Sequence, residues 1–375
     1  MILRRLILSF IALAFVPAMA AHAQSGRQQP QPTPEERQEQ DPLKVFTEEV
    51  RLPLVAFDDY GHFDPTLEMD DVLVLEDGVQ QQIKSIRHIP ASVLLVLDVD
   101  NQITLTKDVK TTRAVAMRLL SRLRQNDEVA VIQFGSGVNV LQNWTTDTAS
   151  IGSVLQTKLY AGKRGRISEA IVAAANMLKD KPAGSRHVVL VTDGIETPGG
   201  KVAYSDAVKQ LIAAQATVHI ISYTELVRDA IATRQRRGIL SGGDGTQRNS
   251  TPTGGDPTMP SPDINRTPSY KIMTIDTDRA MRRWYKRYAE SAKANEKRLK
   301  SLAEETGGQI LLPASEDAML AQADTVARDI GAQYVITYRP TRPLANAKAG
   351  EYRRIEVTPR RQGLALRTRR GYIAK

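Results

Sequence analysis

The sequence has 375 residues and no cysteine. That excludes disulfide staples, thiolate metal centres and lipid attachment through a cysteine, so the chain must rely on its apolar core for stability. Histidine is scarce, with five in the whole sequence and no metal-ligand spacing among them. There is no Gly-x-Ser-x-Gly elbow, and GKRGRISEA lacks the order of a phosphate-binding loop. The longest apolar stretch, at the start, is too short to read as a membrane span, and none is expected after it.

That opening, MILRRLILSFIALAFVPAMAAHAQ, sets Arg4 and Arg5 before an apolar run and small residues at Ala21 and Ala23. This is the layout of a secretory signal over residues 1–23, cleaved after Ala23 or retained as an anchor. The expected location is periplasmic or extracellular. A net charge of +9 would suggest nucleic acid in a cytosolic protein. Export makes that partner unsuitable, and leaves acidic proteins or an anionic cell-envelope surface.

Residues 24–43, QSGRQQPQPTPEERQEQDPL, are rich in Gln, Pro and charge without an apolar period, and read as a linker. From 44 to 90 short alternating runs separated by Asp and Gly suggest an antiparallel β segment. From 91 to 332 apolar strands alternate with amphipathic helices, predicting an α/β domain with a doubly wound, mostly parallel sheet and helices on both faces. VNVLQNW, after Gly137, reads as an antiparallel edge strand. Within this domain residues 238–270 are rich in Gly, Pro, Ser and Thr, too long for an ordinary connection, and are expected to be a mobile insertion over the carboxyl edge of the sheet. Alternation returns over 333–375. The economical arrangement pairs this segment with 44–90 as one small β domain split by the α/β domain; two separate β appendages are the alternative.

Two stretches carry the candidate chemistry. VLLVLDVDNQ ends a buried strand in Asp98 and Asp100, and VVLVTDG delivers Asp193 before the turn at Gly194. In a doubly wound sheet whose neighbouring strands these are, the carboxylates of Asp98, Asp100 and Asp193 converge at the topological switch point. Three such groups repel one another unless protonated, solvated or neutralised by a cation.

These stretches, with VLVLEDGVQQQI before them and LAEETGGQILLP, QYVITYRP, RRIEV and RTRRGY after, resemble the von Willebrand factor A-type domain, in the form found in bacterial secreted proteins related to it. The resemblance spans nearly all of residues 45–374. It implies a non-enzymatic protein-binding module with a metal-ion-dependent adhesion site, where Asp-x-Ser-x-Ser, a Thr and a later Asp hold the ion. Asp98 and Asp193 match the two aspartates. The serine positions are Asp100 and Gln102, and the threonine falls near Gly165, so the site is degenerate. A binding rim of Gln102, Gly165, Thr192 and Gly194 follows from the same resemblance. The implied ion is Mg²⁺ or Ca²⁺, which take oxygen ligands. Alternatively the site has no metal, with Arg164 or Arg166 as the compensating cation, in a structural or scaffold protein of the envelope.

An enzyme of the haloacid-dehalogenase phosphatase type also carries an apolar strand ending in Asp-x-Asp. It would use Asp98 as nucleophile, Asp100 as acid and Thr192 on the phosphate. That family needs a further acidic pair to hold Mg²⁺, and VHIISYTE offers only Glu225.

The helix around DRAMRRWYKRYAESAKANEKRLKSLAEET has Met281, Tyr285, Tyr288, Ala292, Leu299 and Leu302 at helical spacing, which predicts one packed face and one basic, solvated face.

Overall fold

The computed structural model describes residues 48–100, 107–240 and 279–374. The segments 1–23 and 24–43, and all but the first three residues of the insertion expected at 238–270, lie outside them.

In chain order the first strands are β1 (Val50–Phe57), β2 (Val72–Glu76), β3 (Val79–Gln80) and β4 (Ile83–Arg87). Then β5 (Ser92–Asp98), α1 (Val109–Leu120), β6 (Glu128–Phe134), β7 (Val138–Thr145), α2 (Thr148–Lys158), α3 (Ile167–Leu178) and β8 (Arg186–Thr192) follow. After them come α4 (Tyr204–Ala213), β9 (Thr217–Ser222), α5 (Thr224–Leu240), α6 (Arg279–Thr306), β10 (Ile310–Leu311) and α7 (Glu316–Ala332). The chain closes with β11 (Tyr334–Tyr338), β12 (Tyr352–Pro359), β13 (Ala365–Thr368) and β14 (Gly371–Ile373).

The central sheet has six strands in the order β10-β9-β8-β5-β6-β7, parallel except for β7, which runs antiparallel to β6 at the edge. SVLLVLD is buried at every position because helices cover both faces, which is why β5 reads as a continuous apolar run and not an alternating one. On one face Val93, Leu95 and Leu97 pack with residues of α1, α2 and α7. On the other, Leu94 and Val96 pack with α3 and α4. The long α6 serves both: Tyr288 and Ala292 join the first cluster, and Leu299 and Leu302 the second. These are four of the six positions the helical spacing predicts to be packed, the side chains of Met281 and Tyr285 lying outside those described; Lys293, Lys297 and Lys300 are exposed.

Two helices are absent from the sequence reading. In α2, TASIGSVLQTK places Gly152 mid-helix, where its propensity is poor; a Cβ at this position would sit in ordinary contact with Met117 of α1. In α5, buried Leu226, Val227 and Ile231 are too few to mark an amphipathic period. The expected insertion therefore does not leave β9 directly; α5 intervenes, and residues 238–240 belong to it.

The remaining strands form two four-stranded sheets, β13-β1-β11-β4 and β14-β12-β2-β3. Each mixes strands from before and after the central sheet. Val50 pairs with Tyr338, and Val72 with Pro359. Leu52, Leu54, Val74, Ile336 and Tyr372 from both sheets share one apolar core.

Candidate functional site

The sheet reverses its strand order between β5 and β8, so the residues ending those strands share one crevice at the carboxyl edge. Asp98 is the last residue of β5, and its backbone direction is continued by Val99, whose N–H donates to the Phe134 carbonyl at 3.0 Å. Asp100 then bridges to Gly162. Asp193 follows β8 directly, and Gly194 turns the chain in the left-handed region, at φ +74°, tight against Leu299 and Asn295 of α6.

The carboxylates of Asp98, Asp100 and Asp193 each offer an oxygen within 4.8 Å of the others, close enough to hold a metal ion. All three residues are buried. Between them stands an amine. Lys107 Nζ lies 2.9 Å from Asp98 Oδ2, 2.9 Å from Asp100 Oδ1 and 3.2 Å from Asp193 Oδ2, with 1% of its side chain exposed. An ammonium has three N–H donors, one for each carboxylate.

Lys107 is placed there by α1. Asp108 caps that helix, accepting the Thr111 N–H at 2.7 Å, and the residue before the cap faces the crevice. Val115, Ala116 and Leu119 fix α1 to the sheet. The positive end of the helix dipole adds to the attraction. Thr112 Oγ1 and Tyr223 Oη meet at 2.7 Å beneath the helix start.

The second oxygens of Asp98 and Asp193 are engaged by the local chain. Thr192 Oγ1 donates to Asp98 Oδ2 at 2.6 Å and accepts the Gly194 N–H at 3.0 Å. The Asp100 N–H donates to Asp98 Oδ1 at 3.1 Å, and the Ile195 N–H to Asp193 Oδ1 at 3.0 Å. Burial pushes the Asp98 carboxyl far above its ordinary range, reinforced by the charge of Asp100 and opposed by Lys107. Burial raises Asp193 as well, again opposed by Lys107. Lys107 is held well above the usual lysine value: desolvation opposes its charge, but the surrounding carboxylates outweigh it. Tyr288 of α6, wholly buried, is kept neutral by burial and by the same carboxylates.

The structure thus brings Asp98, Asp100 and Asp193 together. Thr192 is buried under them and positions Asp98 instead of lining an open rim. Gly194 is covered by α6. Gly165 exchanges backbone and side-chain hydrogen bonds with Thr197: its N–H donates to Thr197 Oγ1 at 3.0 Å, and its carbonyl accepts the Thr197 N–H at 2.9 Å. A Cβ at Gly165 would lie 2.5 Å from the Ile195 carbonyl oxygen and 2.7 Å from Asp100 Oδ2, so no threonine side chain fits this backbone. Gln102 lies outside the described residues. The arginines expected as a substitute cation do not take that place: Arg166 Nη1 donates to the Thr197 carbonyl at 3.3 Å, and Arg164 is exposed.

Sequence reasoning missed Lys107. The signal was present in ITLTKDVK: the first helix of a doubly wound fold starts at the carboxyl edge, so the residue before its Asp cap arrives at the switch point.

A divalent ion fits this donor set poorly. Mg²⁺ and Ca²⁺ take six or more oxygen ligands. Here one hydroxyl position is a carboxylate, another is a glycine with no room for a side chain, and an ammonium stands among the carboxylates.

Residues 93–196 match the family model of the von Willebrand factor type A domain. Among solved structures, an aerotolerance-related membrane protein from Bacteroides fragilis, carrying multiple mutations to serine, is 17% identical, with a TM-score of 0.37 over 64% of this chain and 98% of that one. BatB from Bacteroides thetaiotaomicron is also 17% identical, with a TM-score of 0.35 over 64% of this chain and 99% of that one. A von Willebrand factor type A structure from Catenulispora acidiphila is 9% identical, with a TM-score of 0.42 over 86% of this chain and 73% of that one. No curated protein sequence matches.

Proposed function

Because the chain carries a von Willebrand factor type A domain over residues 93–196, we propose that it is an exported, non-enzymatic module that binds another protein at the carboxyl edge of its central sheet. The observation that carries this reading is the engagement of both oxygens of Asp98. One receives Thr192 and Lys107, the other the Asp100 amide, and the residue is 1% exposed. A phosphatase nucleophile needs an oxygen free to attack its substrate, and here both oxygens accept hydrogen bonds from the chain's own groups.

A cleft opens over the cluster, lined by Asp98, Asp100 and Lys107 and running out to Val109, Lys110 and Ala161; Tyr160, next in sequence to Ala161, is 65% exposed. Exposed tyrosines are among the groups that anchor protein interfaces. The secretory layout of residues 1–23 supports export. No helix among the described residues is long and apolar enough to cross a membrane.

The test is site-specific photocross-linking in cells, with the cross-linker at Tyr160 and, as control, at exposed Tyr60 in the segment between β1 and β2. A discrete adduct from Tyr160 alone, in the periplasmic or extracellular fraction, is the expected result. Equal labelling from both positions, or retention of the protein in the cytoplasm, contradicts the reading. Turnover of a general phosphatase substrate that vanishes in Asp98→Asn would favour the enzyme instead.

A further inference from the structure

The adhesion-type site of this domain contains its own cation. We infer that the Lys107 ammonium occupies the place that a divalent ion takes in such a site, and that the native chain therefore binds no Mg²⁺, Ca²⁺ or Mn²⁺ there. The inference concerns the site alone and stands independently of the binding role proposed above.

Geometry is the first support. The amine lies 2.9–3.2 Å from one oxygen of each of the three carboxylates, the separation of charge-assisted hydrogen bonds. Ion–oxygen distances are roughly 2.0–2.6 Å, so the same cage would have to contract around an ion. Contraction with the ammonium in place would force two cations together in a site shielded from water. Metal and lysine are mutually exclusive.

Placement is the second. Lysine is almost never fully buried without partners. Lys107 is buried because α1 delivers it there: Asp108 fixes the helix start, and the buried side of α1 holds the helix on the sheet. A surface lysine folding over an empty site would be held by its own flexible stem alone.

Loss of oxygen donors is the third. Asp100 adds a charge where a neutral hydroxyl would serve an ion, and the ammonium uses that charge. Gly165 leaves no room for a further hydroxyl. Each departure from an ion-binding set suits an ammonium.

A partner of such a site cannot be captured by a carboxylate completing the coordination of an ion, since an ammonium saturated by three carboxylates has no open position. Recognition must use the surrounding surface and be indifferent to chelators.

The experiment compares wild type, Lys107→Ala and the double variant Lys107→Met/Asp100→Ser by calorimetric titration with Mg²⁺, Ca²⁺ and Mn²⁺ and by thermal unfolding with each ion or with EDTA. The double variant removes one positive and one negative charge together, so it keeps the balance of the cluster and restores one hydroxyl. Wild type should show no saturable heat at millimolar ion and no change in melting temperature. At least one variant should bind Mn²⁺ or Mg²⁺ roughly tenfold or more tightly than wild type, and be stabilised by it. Ion binding by wild type as tight as that of the variants overturns the inference, and so does inertness to every ion in all the variants that fold.

If neither variant folds, wild type decides alone through the ¹⁵N resonance of the Lys107 amine. Paramagnetic Mn²⁺ entering the cluster would broaden that signal beyond detection, overturning the inference. A sharp signal unaffected by millimolar Mn²⁺ upholds it.

Discussion

Arg353 on β12 and Glu76 on β2 form an ion pair of 2.8 Å with both side chains buried. Glu76 also accepts the hydroxyls of Tyr338 at 2.8 Å and Tyr372 at 3.0 Å, while Arg353 donates to the carbonyls of Arg342 and Pro343. The network ties the strands that precede the central sheet to those that follow it. Removing one partner leaves the other charge buried without compensation, so Arg353→Met should cost about 3–5 kcal/mol in urea unfolding. Exchanging both, Arg353→Met with Glu76→Leu, should recover part of that loss. A single variant within measurement error of wild type would show that the pair holds nothing.

Thr192→Val keeps the shape of the side chain and deletes the hydroxyl between Asp98 and the Gly194 amide. The lost bond is to a buried charged group, so the expected destabilisation is about 1.5–3 kcal/mol. Chemical denaturation measures it, and a neutral outcome would mean that Lys107 and the Asp100 amide position Asp98 without Thr192.

Gly165→Thr tests the missing hydroxyl of the adhesion-type set directly. The new Cβ meets the backbone oxygen of Ile195 at 2.5 Å, so the loop must move, at a cost of roughly 1–3 kcal/mol. By itself the substitution should create no ion binding while Lys107 remains. Calorimetry of the folded variant with Mn²⁺ checks this second expectation.

A buried histidine pair on β8 and β9 of the central sheet meets Gln333 at the end of α7. Gln333 Nε2 lies 3.2 Å from His187 Nε2, and His187 Nδ1 lies 3.4 Å from His219 Nε2. The amide can only donate, so His187 carries its proton on Nδ1 and stays neutral. Burial pushes the His187 imidazole down from 6.5 to about 4, Asp127 opposing and Arg124 assisting; His219 is pushed well below its ordinary value by burial and by His187. A depressed folded value means that only the unfolded chain takes up the proton, so the contribution is full above 6.5 and is lost as pH falls toward 4. Buried Asp98 and Asp193, with raised values, act in the opposite sense. The useful quantity is the difference between wild type and His187→Gln. That gap should change by roughly 3 kcal/mol in favour of the variant on going from neutral pH to about 4. A gap independent of pH would refute the neutral assignment.

The central sheet was legible because its strands are buried on both faces: VLLVL and VVLV have no polar interruption to blur them, and VHII has only His219. The antiparallel edge at Val138–Thr145 was legible from its alternation and the preceding glycine. What escaped lacked a periodic signature, such as α2 with its internal glycine. The site divides in the same way. Three aspartates following apolar strands announce a crevice, but their cation comes from a helix start, and no pattern rule links a lone lysine to carboxylates on two other strands. Arg164 and Arg166 were the nearer guess because two arginines in a glycine loop stand out, whereas Lys107 is hidden among ordinary residues. The electrostatic demand was readable; the residue meeting it depended on the register of α1 over β5.

The pairing of Val50 with Tyr338 and of Val72 with Pro359 also orders events in time. A chain emerging from its amino end presents β1 and β2 first; β2 can pair at once with β3, but β1 and the other edge of β2 find their partners only after the central domain has appeared. Until then two apolar strands wait with unsatisfied edges, a state prone to wrong pairing. The central α/β unit has its neighbours close in sequence and can form early, bringing Arg87 and Val335 near each other where they pair. It then works as a clasp, shortening the loop whose closure the outer sheets must otherwise achieve unaided. Early collapse of the middle of the chain is thus the route by which its two ends find one another.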